Sequence, residues 1–317
     1  MNTLIRFARG LHLPLFALLA TPGFLAAQGN QQSANLREAS ELIRAGKTTE
    51  ALTAVRREVT ATPTSAAAAN LLDVLGVTAE ARAIWQQRID TAADPAAKAV
   101  AQRAMAMSYA FDGDSANTVK YEQLVIAYWV TREAAEPQNA FYQQGEMANE
   151  AARVCIDSGD LAAAELWYRK GTELGLKEPE PKTHPKSLWD YRLAHALGRV
   201  AARRGDKAEA QRQIAVARKA LDGDPSMAAQ QERYFPYLVG YVALYTNDLK
   251  TAETELTKAV AANASDPFMT SQLAMTHEKL GQADKAKELY TKAHGLATAH
   301  NPPAAFARPF TRKKLGL

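Results

Sequence analysis

Hydrophobic and polar residues follow the same pattern in two neighbouring segments towards the C-terminal end of the chain. Segments 240–259 (GYVALYTNDLKTAETELTKA) and 274–293 (AMTHEKLGQADKAKELYTKA) align without a gap at an offset of 34 residues. In each segment, apolar residues recur at the spacing of an amphipathic helix, a short polar stretch follows, and a second amphipathic helix begins. This pattern predicts two consecutive helical hairpins built on one plan.

The turn and the second helix of this plan recur upstream. The seven turns are marked by Gly46, Gly76, Gly113, Gly159, Gly205, Asn247 and Gly281. In six of the seven, an alanine lies five residues beyond the turn and a large apolar residue lies nine beyond it. The unit after Gly113 carries Thr118 and Glu122 at these positions, which leaves its register open.

Each recurring position has a physical role. Glycine and asparagine accept the left-handed backbone conformation that ends a helix. Alanine allows two helices to approach closely, and the large residue one turn later fills the space beside it. The alanine-rich composition also favours helix. The sequence therefore predicts an all-α fold of about seven helical hairpins.

These hairpins resemble the tetratricopeptide repeat family, whose unit is 34 residues long. The matching elements are a small residue in the first helix (Gly198, Gly240, Ala274), the turn, the alanine of the second helix and the large residue after it. The resemblance covers about residues 35–300. It implies a right-handed α-α superhelix whose first helices line a concave groove, and a role as a binding scaffold.

Two segments interrupt or follow the predicted repeat domain of residues 35–300. Segment 177–187 (KEPEPKTHPKS) contains three prolines, which exclude a regular helix, and is predicted to be an insert. Segment 301–317 (NPPAAFARPFTRKKLGL) breaks the periodicity. It is predicted to be a C-terminal tail that lies on the last repeat.

The N-terminal segment has the layout of a secretory signal peptide. Arg6 and Arg9 precede a mostly apolar stretch that ends in the small residues Ala26 and Ala27. The stretch is too short and too interrupted for a good membrane span. We therefore expect a signal peptide at residues 1–27, a linker at 28–34 and an exported protein, periplasmic or secreted; an apolar N-terminal helix is the alternative. No cysteine follows the small residues, so neither a lipid anchor there nor a transmembrane span in the mature chain is expected.

Composition and charge narrow the class of function. Cleavage near Ala27 would remove two arginines and lower the formal net charge from +4 to +2. A nearly neutral protein lacks the basic footprint that nucleic-acid binding requires. The single cysteine, Cys155, cannot form an intrachain disulfide and lies on an apolar helix face, where a buried core role is expected. The sequence contains no nucleophile elbow, phosphate loop, dinucleotide fingerprint or zinc motif, so we expect no enzyme activity, no cofactor and no metal.

The register of the repeats places a basic row next to an aromatic row on the predicted concave side. The basic row comprises Arg192, His195, Arg199 and Arg203, and the aromatic row comprises Tyr237, Tyr241 and Tyr245. Tyr234 would extend the aromatic row, but Pro236 belongs in a first helical turn, which leaves the direction of Tyr234 uncertain. The preceding repeat contributes Asn149 and Arg153 to the same side, and the final one contributes Met275.

The two rows permit several interpretations. Glu146 and Asp157 could pair with the arginines while the tyrosines pack against adjacent helices or the C-terminal tail. Alternatively, the rows form a groove for a partner protein or peptide, because arginine forks hold carboxylates and tyrosines supply contact area. This groove would make the protein a non-catalytic protein–protein interaction scaffold. A receptor for a glycan or organic anion in the same groove is the alternative function, and a surface for self-association is a third interpretation.

Overall fold

The computed structural model describes residues 33–317, and all of its regular secondary structure is helical. The predicted signal peptide and most of the linker lie outside the described residues. Seven hairpins follow one another: α1 (Ala34–Arg44) with α2 (Thr48–Ala61), α3 (Ala66–Leu75) with α4 (Thr78–Asp90), α5 (Pro95–Phe111) with α6 (Ser115–Val130), α7 (Pro137–Ser158) with α8 (Leu161–Leu176), α9 (Lys186–Arg203) with α10 (Lys207–Gly223), α12 (Phe235–Tyr245) with α13 (Leu249–Ala262), and α14 (Pro267–Lys279) with α15 (Ala283–Leu296).

Two further helices complete the fold. The short helix α11 (Pro225–Gln231) and a single 3-10 turn (Glu232–Tyr234) connect the fifth hairpin to the sixth. Helix α16 (Pro302–Leu315) follows the last hairpin. The prediction of an all-α helical repeat solenoid is confirmed. No helix within residues 33–317 is both long and apolar enough to span a membrane.

The seven predicted turns share one backbone conformation. Each marker residue has a positive φ, from 66° at Asn247 to 91° at Gly159. Asparagine tolerates this left-handed conformation better than most non-glycine residues, which explains its place in the sixth turn. In four hairpins an aspartate then caps the second helix by accepting a hydrogen bond from a backbone N–H; these are Asp114, Asp160, Asp206 and Asp248.

The third hairpin keeps the common register despite its unusual residues. Gly113 has a φ of 69°, and both Thr118 and Glu122 are fully buried, with 0% of their surface exposed. They therefore occupy the core positions that alanine and a large apolar residue occupy elsewhere. The Thr118 hydroxyl is satisfied by donating within the hairpin to the carbonyls of Asp114 (2.9 Å) and Ala106 (3.2 Å).

The proline-rich insert forms an ordered loop between α8 and α9. Its Glu178 is buried and accepts hydrogen bonds from the backbone N–H and the hydroxyl of Thr183, at 2.6 and 2.7 Å. His184 Nδ1 lies 2.9 Å from the second carboxylate oxygen of Glu178. The His184 ring stacks on Tyr142 of α7, with 3.9 Å between the ring centroids. The loop is thus tied to α7, the first helix of the fourth hairpin.

The C-terminal segment is a helix that reaches far beyond the last repeat. Helix α16 packs against α14 and α15, and also against α3, α5 and α7. Apart from α15, these are first helices, so α16 lies on the side that the first helices form; we call this the concave side. Its residues Ala304, Ala305, Phe306 and Ala307 are buried in the same core cluster as residues of α1 to α5. The predicted tail therefore covers part of the concave side.

Polar contacts fix α16 to the second hairpin. Arg308 Nε donates to the Val74 carbonyl at 3.1 Å, and Arg312 Nη1 donates to the Leu75 carbonyl at 3.0 Å. These carbonyls end α3, where the helix dipole favours positive charge. Just before α16, His300 Nε2 lies 2.9 Å from Asp73 Oδ2. The last repeat and the second are thereby held together across the concave side.

Candidate binding site

Three adjacent first helices carry most of the predicted site residues. Asn149 and Arg153 lie on α7, the basic row on α9, and the aromatic row on α12. The rows are neighbours, as the register predicted: the His195 and Tyr237 ring centroids are 5.7 Å apart, and Arg203 Nη1 lies 3.3 Å from the Tyr241 hydroxyl. The structure therefore brings these residues together at the centre of the concave side.

Arg192 is paired with an acidic residue of the preceding repeat. Its Nη1 atom lies 2.6 Å from Glu146 Oε1, and its Nη2 donates to the Tyr142 hydroxyl at 3.3 Å. The guanidinium carbon also lies 5.1 Å from the centre of the Trp189 ring. For Arg192, the structure supports the interpretation in which Glu146 supplies the compensating charge.

Arg199 is buried among aromatic rings and neutral acceptors. Only 6% of its surface is exposed. Its Nη2 donates to the Tyr168 hydroxyl at 3.0 Å and its Nε to the His195 carbonyl at 3.3 Å. Its guanidinium carbon lies 5.7, 5.8 and 5.9 Å from the ring centres of Tyr168, Tyr237 and Tyr241. Arginine stays charged even here, so the site contains a buried cation surrounded by tyrosines.

His195 is buried beside Arg199 and is neutral. Burial, and secondarily the Arg199 charge, hold the pKa of His195 well below its ordinary value, although a hydrogen bond to the Tyr234 backbone opposes this. Its Nε2 atom is buried and has no hydrogen-bond partner among residues 33–317. A neutral ring with one unpaired nitrogen leaves a hydrogen-bonding position that the described residues do not fill.

The tyrosines of the aromatic row are more buried than a partner-binding row requires. Tyr237 and Tyr241 are each only 1% exposed, because they fill the space between α9 and α14. That they contact a partner directly stays a prediction, and Tyr245 alone of the row is partly exposed. Tyr234 is also buried and precedes α12, whose first turn contains Pro236.

Asp157 and Asp266 are acidic residues close to the two rows. Burial raises the pKa of each to about 6, for Asp157 against the opposing effect of Arg203 and for Asp266 against two backbone hydrogen bonds. Desolvation therefore outweighs their favourable contacts. Neither carboxylate is the strong partner for the basic row that the interpretation with Asp157 required.

Two adjacent cavities meet at Arg153 and Arg199. The first, about 440 Å³ when its open mouth is included, is lined mainly by aromatic and other apolar residues and reaches the start of α16 through Pro302 and Phe306. The second, about 390 Å³ on the same measure, is polar and is lined by Glu146, Asn149, Arg153, Tyr168, Arg192, His195 and Arg199. The site thus combines an aromatic compartment with a cationic one.

Met275 lies at the edge of this arrangement. It is partly buried and packs both against the cluster that contains Tyr237 and Tyr241 and against the one formed by Ala274, Ala286 and Tyr290. Residues that the sequence did not single out complete the site: Tyr142 and Trp189 beside Arg192, Tyr168 beside Arg199, and Phe306 at the aromatic cavity. Phe306 lies outside the repeat, so the repeat register contained no signal for it.

Comparison with known proteins agrees with the hairpin geometry. The family profile of the tetratricopeptide repeat matches residues 271–300, which include the second half of α14 and all of α15. The matched segment is a tetratricopeptide repeat. The six other hairpins share the left-handed turn of this matched repeat. The predicted resemblance to the family is confirmed.

The wider comparisons add little. The chain resembles the crystal structure of the P58(IPK) TPR domain, with a TM-score of 0.33 and 12% sequence identity, over 89% of this chain and 97% of that one. A search of curated proteins finds no significant match.

Proposed function

We propose that this tetratricopeptide-repeat protein is a non-catalytic, exported scaffold that binds a partner peptide at the centre of its concave side. Such repeats form protein–protein interaction surfaces, and their stacked first helices provide an extended concave face. The partner is a protein or peptide, and a carboxylate on it would suit the arginines of this face. The N-terminal segment supports export through its two arginines, apolar stretch and small residues.

One observation carries the proposal: the centre of the concave side keeps accessible cationic and aromatic groups. Helix α16 covers α3, α5, α7 and α14, whereas its main contacts do not include α9 and α12. On α9 and α12, Arg192, Arg203 and Tyr245 are each partly exposed. The Arg203 guanidinium carbon lies 4.9 Å from the Tyr245 ring centre, so cation and aromatic face form one surface.

The buried residues next to this surface support it without meeting the partner. Arg199 and Tyr241 are exposed by only 6% and 1%. Replacing both by alanine would remove core volume and desolvated contacts together, so loss of binding would not distinguish a contact from a structural support. The informative substitutions are therefore those at partly exposed positions.

Site-specific cross-linking tests where the partner binds. A photoreactive residue at position 245 should cross-link to the partner in cells, whereas one at Leu166, 65% exposed on the second helix α8, should not. Equal cross-linking from both positions would contradict the proposal. The cross-linked protein is recovered from outside the cytoplasm, and its N-terminus should lie near Gln28 if the leader is cleaved as expected.

A charge reversal tests the chemistry of the contact. Arg203→Glu should weaken partner binding at least about tenfold, the effect of roughly 1.4 kcal/mol, because it places a like charge against a carboxylate. Arg212→Glu is the matched control, because Arg212 lies exposed on the second helix α10. Binding that both variants weaken equally would indicate a response to net charge, and the proposed surface would be wrong.

A further inference from the structure

The polar cavity between α7 and α9 holds more positive than negative charge. Three guanidinium groups, those of Arg153, Arg192 and Arg199, line it together with the carboxylate of Glu146. Glu146 lies 2.6 Å from Arg192 and is therefore engaged. Arg199 donates its hydrogen bonds to a tyrosine hydroxyl and a backbone carbonyl, both neutral. A buried cation without an anionic hydrogen-bond partner is costly, which favours an anion from outside the chain.

His195 defines a second requirement at the same cavity. An interaction with the Tyr234 backbone favours the charged form of the ring, as a carbonyl acceptor does, and Nε2 has no hydrogen-bond partner among residues 33–317. We therefore assign the proton of the neutral ring to Nδ1 and a lone pair to Nε2. Nε2 is buried with no donor from the described part of the chain. It would be satisfied by a ligand that brings an O–H group.

We propose that this cavity is a binding site for a small oxyanion that also carries a hydroxyl group. Its negatively charged oxygen accepts hydrogen bonds from Arg199 at the junction with Arg153, and its O–H donates to His195 Nε2. Hydrogenphosphate and a small α-hydroxycarboxylate share this chemistry. The inference goes beyond the scaffold function and does not depend on it, because neither Arg203 nor Tyr245 lines the cavity.

Pairs of ligands that differ by the hydroxyl test the proposal. The purified protein is titrated calorimetrically at pH 7 and constant ionic strength with phosphate, sulfate, glycolate and acetate. Sulfate and acetate lack the O–H group, so they would set an oxygen lone pair against that of His195 Nε2. We expect phosphate to bind at least about tenfold more tightly than sulfate, or glycolate than acetate, a difference of about 1.4 kcal/mol. The pair that shows the preference identifies the class of ligand.

Variants locate the binding in the cavity. His195→Phe keeps an aromatic ring and removes the acceptor, so the preference for the hydroxyl-bearing ligand should disappear while weak anion binding remains. Arg153→Gln should weaken the binding of all four anions and leave the preference for the hydroxyl-bearing ligand unchanged. This variant provides a test even if His195→Phe does not fold. Arg212→Gln is the control, because Arg212 is exposed on α10 and does not line the cavity, and it should change neither quantity.

Several outcomes would overturn the proposal. It is wrong if none of the four anions binds, or if phosphate and sulfate, and likewise glycolate and acetate, bind equally. It is also wrong if folded His195→Phe retains the preference. Cross-linking from position 245 is measured separately, so a failed titration with an intact partner contact leaves the scaffold function standing.

Discussion

At the scale of single residues, the most unusual feature is a carboxyl group in the core of the third hairpin. Glu122 takes the position of a large apolar residue, and both of its oxygens are buried without a donor among residues 33–317. Burial first, then the neighbouring Glu150 carboxylate, raise the pKa of Glu122 well above its ordinary value, although Arg103 opposes this. Glu150 itself is held ionised by Arg103 at 2.8 Å. A protonated Glu122 can donate to Glu150, which explains how the pair is tolerated.

This pair predicts how stability depends on pH. Folded Glu122 keeps its proton to a higher pH than the unfolded chain, where the pKa is about 4.3. Between these two pKa values the folded state binds more protons, so the free energy of unfolding falls as pH rises through that window. Glu122→Gln can donate to Glu150 without ionising. In urea denaturation, the free energy of unfolding of Glu122→Gln should equal that of the wild type near pH 4. Near pH 8 it should exceed that of the wild type by at least about 1 kcal/mol.

An exposed glutamate provides the control for this experiment. Glu50 lies exposed on α2, and Glu50→Gln should leave the pH dependence of stability as in the wild type. If the free energies of unfolding of Glu122→Gln and the wild type changed in parallel between pH 4 and pH 8, the pKa of Glu122 would not be raised.

At the scale of helices, the small residue of each first helix sets how closely the hairpin closes. At Gly240 an added Cβ atom would lie 2.7 Å from Leu256 Cγ and 2.9 Å from the Leu256 backbone nitrogen. The backbone of α13 cannot yield as a flexible side chain could. Gly295 on α15 is a useful contrast, because within the described chain nothing lies within 4 Å of a Cβ placed there.

Alanine substitutions at the two glycines should change the free energy of unfolding in opposite directions. Gly240→Ala should lower the free energy of unfolding by about 1–3 kcal/mol, because it forces α12 and α13 apart. Gly295→Ala should raise it by roughly 0.5–1 kcal/mol, because alanine loses less backbone entropy in a helix. Equilibrium unfolding of both variants checks this. A rise in both would show that helix propensity outweighs the close approach, and a fall in both would contradict the prediction for Gly295.

At the scale of the whole molecule, α16 turns a row of repeats into a closed structure. Phe306 is buried in the core cluster shared with the first hairpins and also meets Phe268 of α14, with 5.3 Å between ring centroids. Phe310 instead faces Tyr290 of the last hairpin, 5.8 Å away. Neighbouring repeats in an open solenoid contact only each other, so this closure adds a coupling between repeats distant in sequence.

Hydrogen exchange should reveal that coupling. Phe306→Ala should lower overall stability by about 3–5 kcal/mol and reduce amide protection in α3 and α5 as well as in α14. Phe310→Ala, the matched control on the same helix, should reduce protection mainly in α14 and α15. If Phe306→Ala changed only the last hairpin, the repeats would behave as an open array.

The sequence by itself determined the repeated plan of this protein. Turn residues with φ between 66° and 91° and the alanine positions follow local rules, because a left-handed turn and a close helix contact each restrict a single position. The same register correctly placed the basic row beside the aromatic row. The third hairpin, whose register the sequence left open, has the same turn and the same core positions, filled by Thr118 and Glu122.

The tertiary structure alone decided which residues of the basic and aromatic rows are buried and which are exposed. Tyr237 and Tyr241 had the right register for a groove but are buried, since α14 packs against their row. The course of α16 over the first helices follows no repeat, because it depends on which apolar surfaces remain uncovered once the hairpins have stacked. Local spacing fixes each hairpin, whereas the burial of Arg199, His195 and Phe306 arises only when distant elements meet.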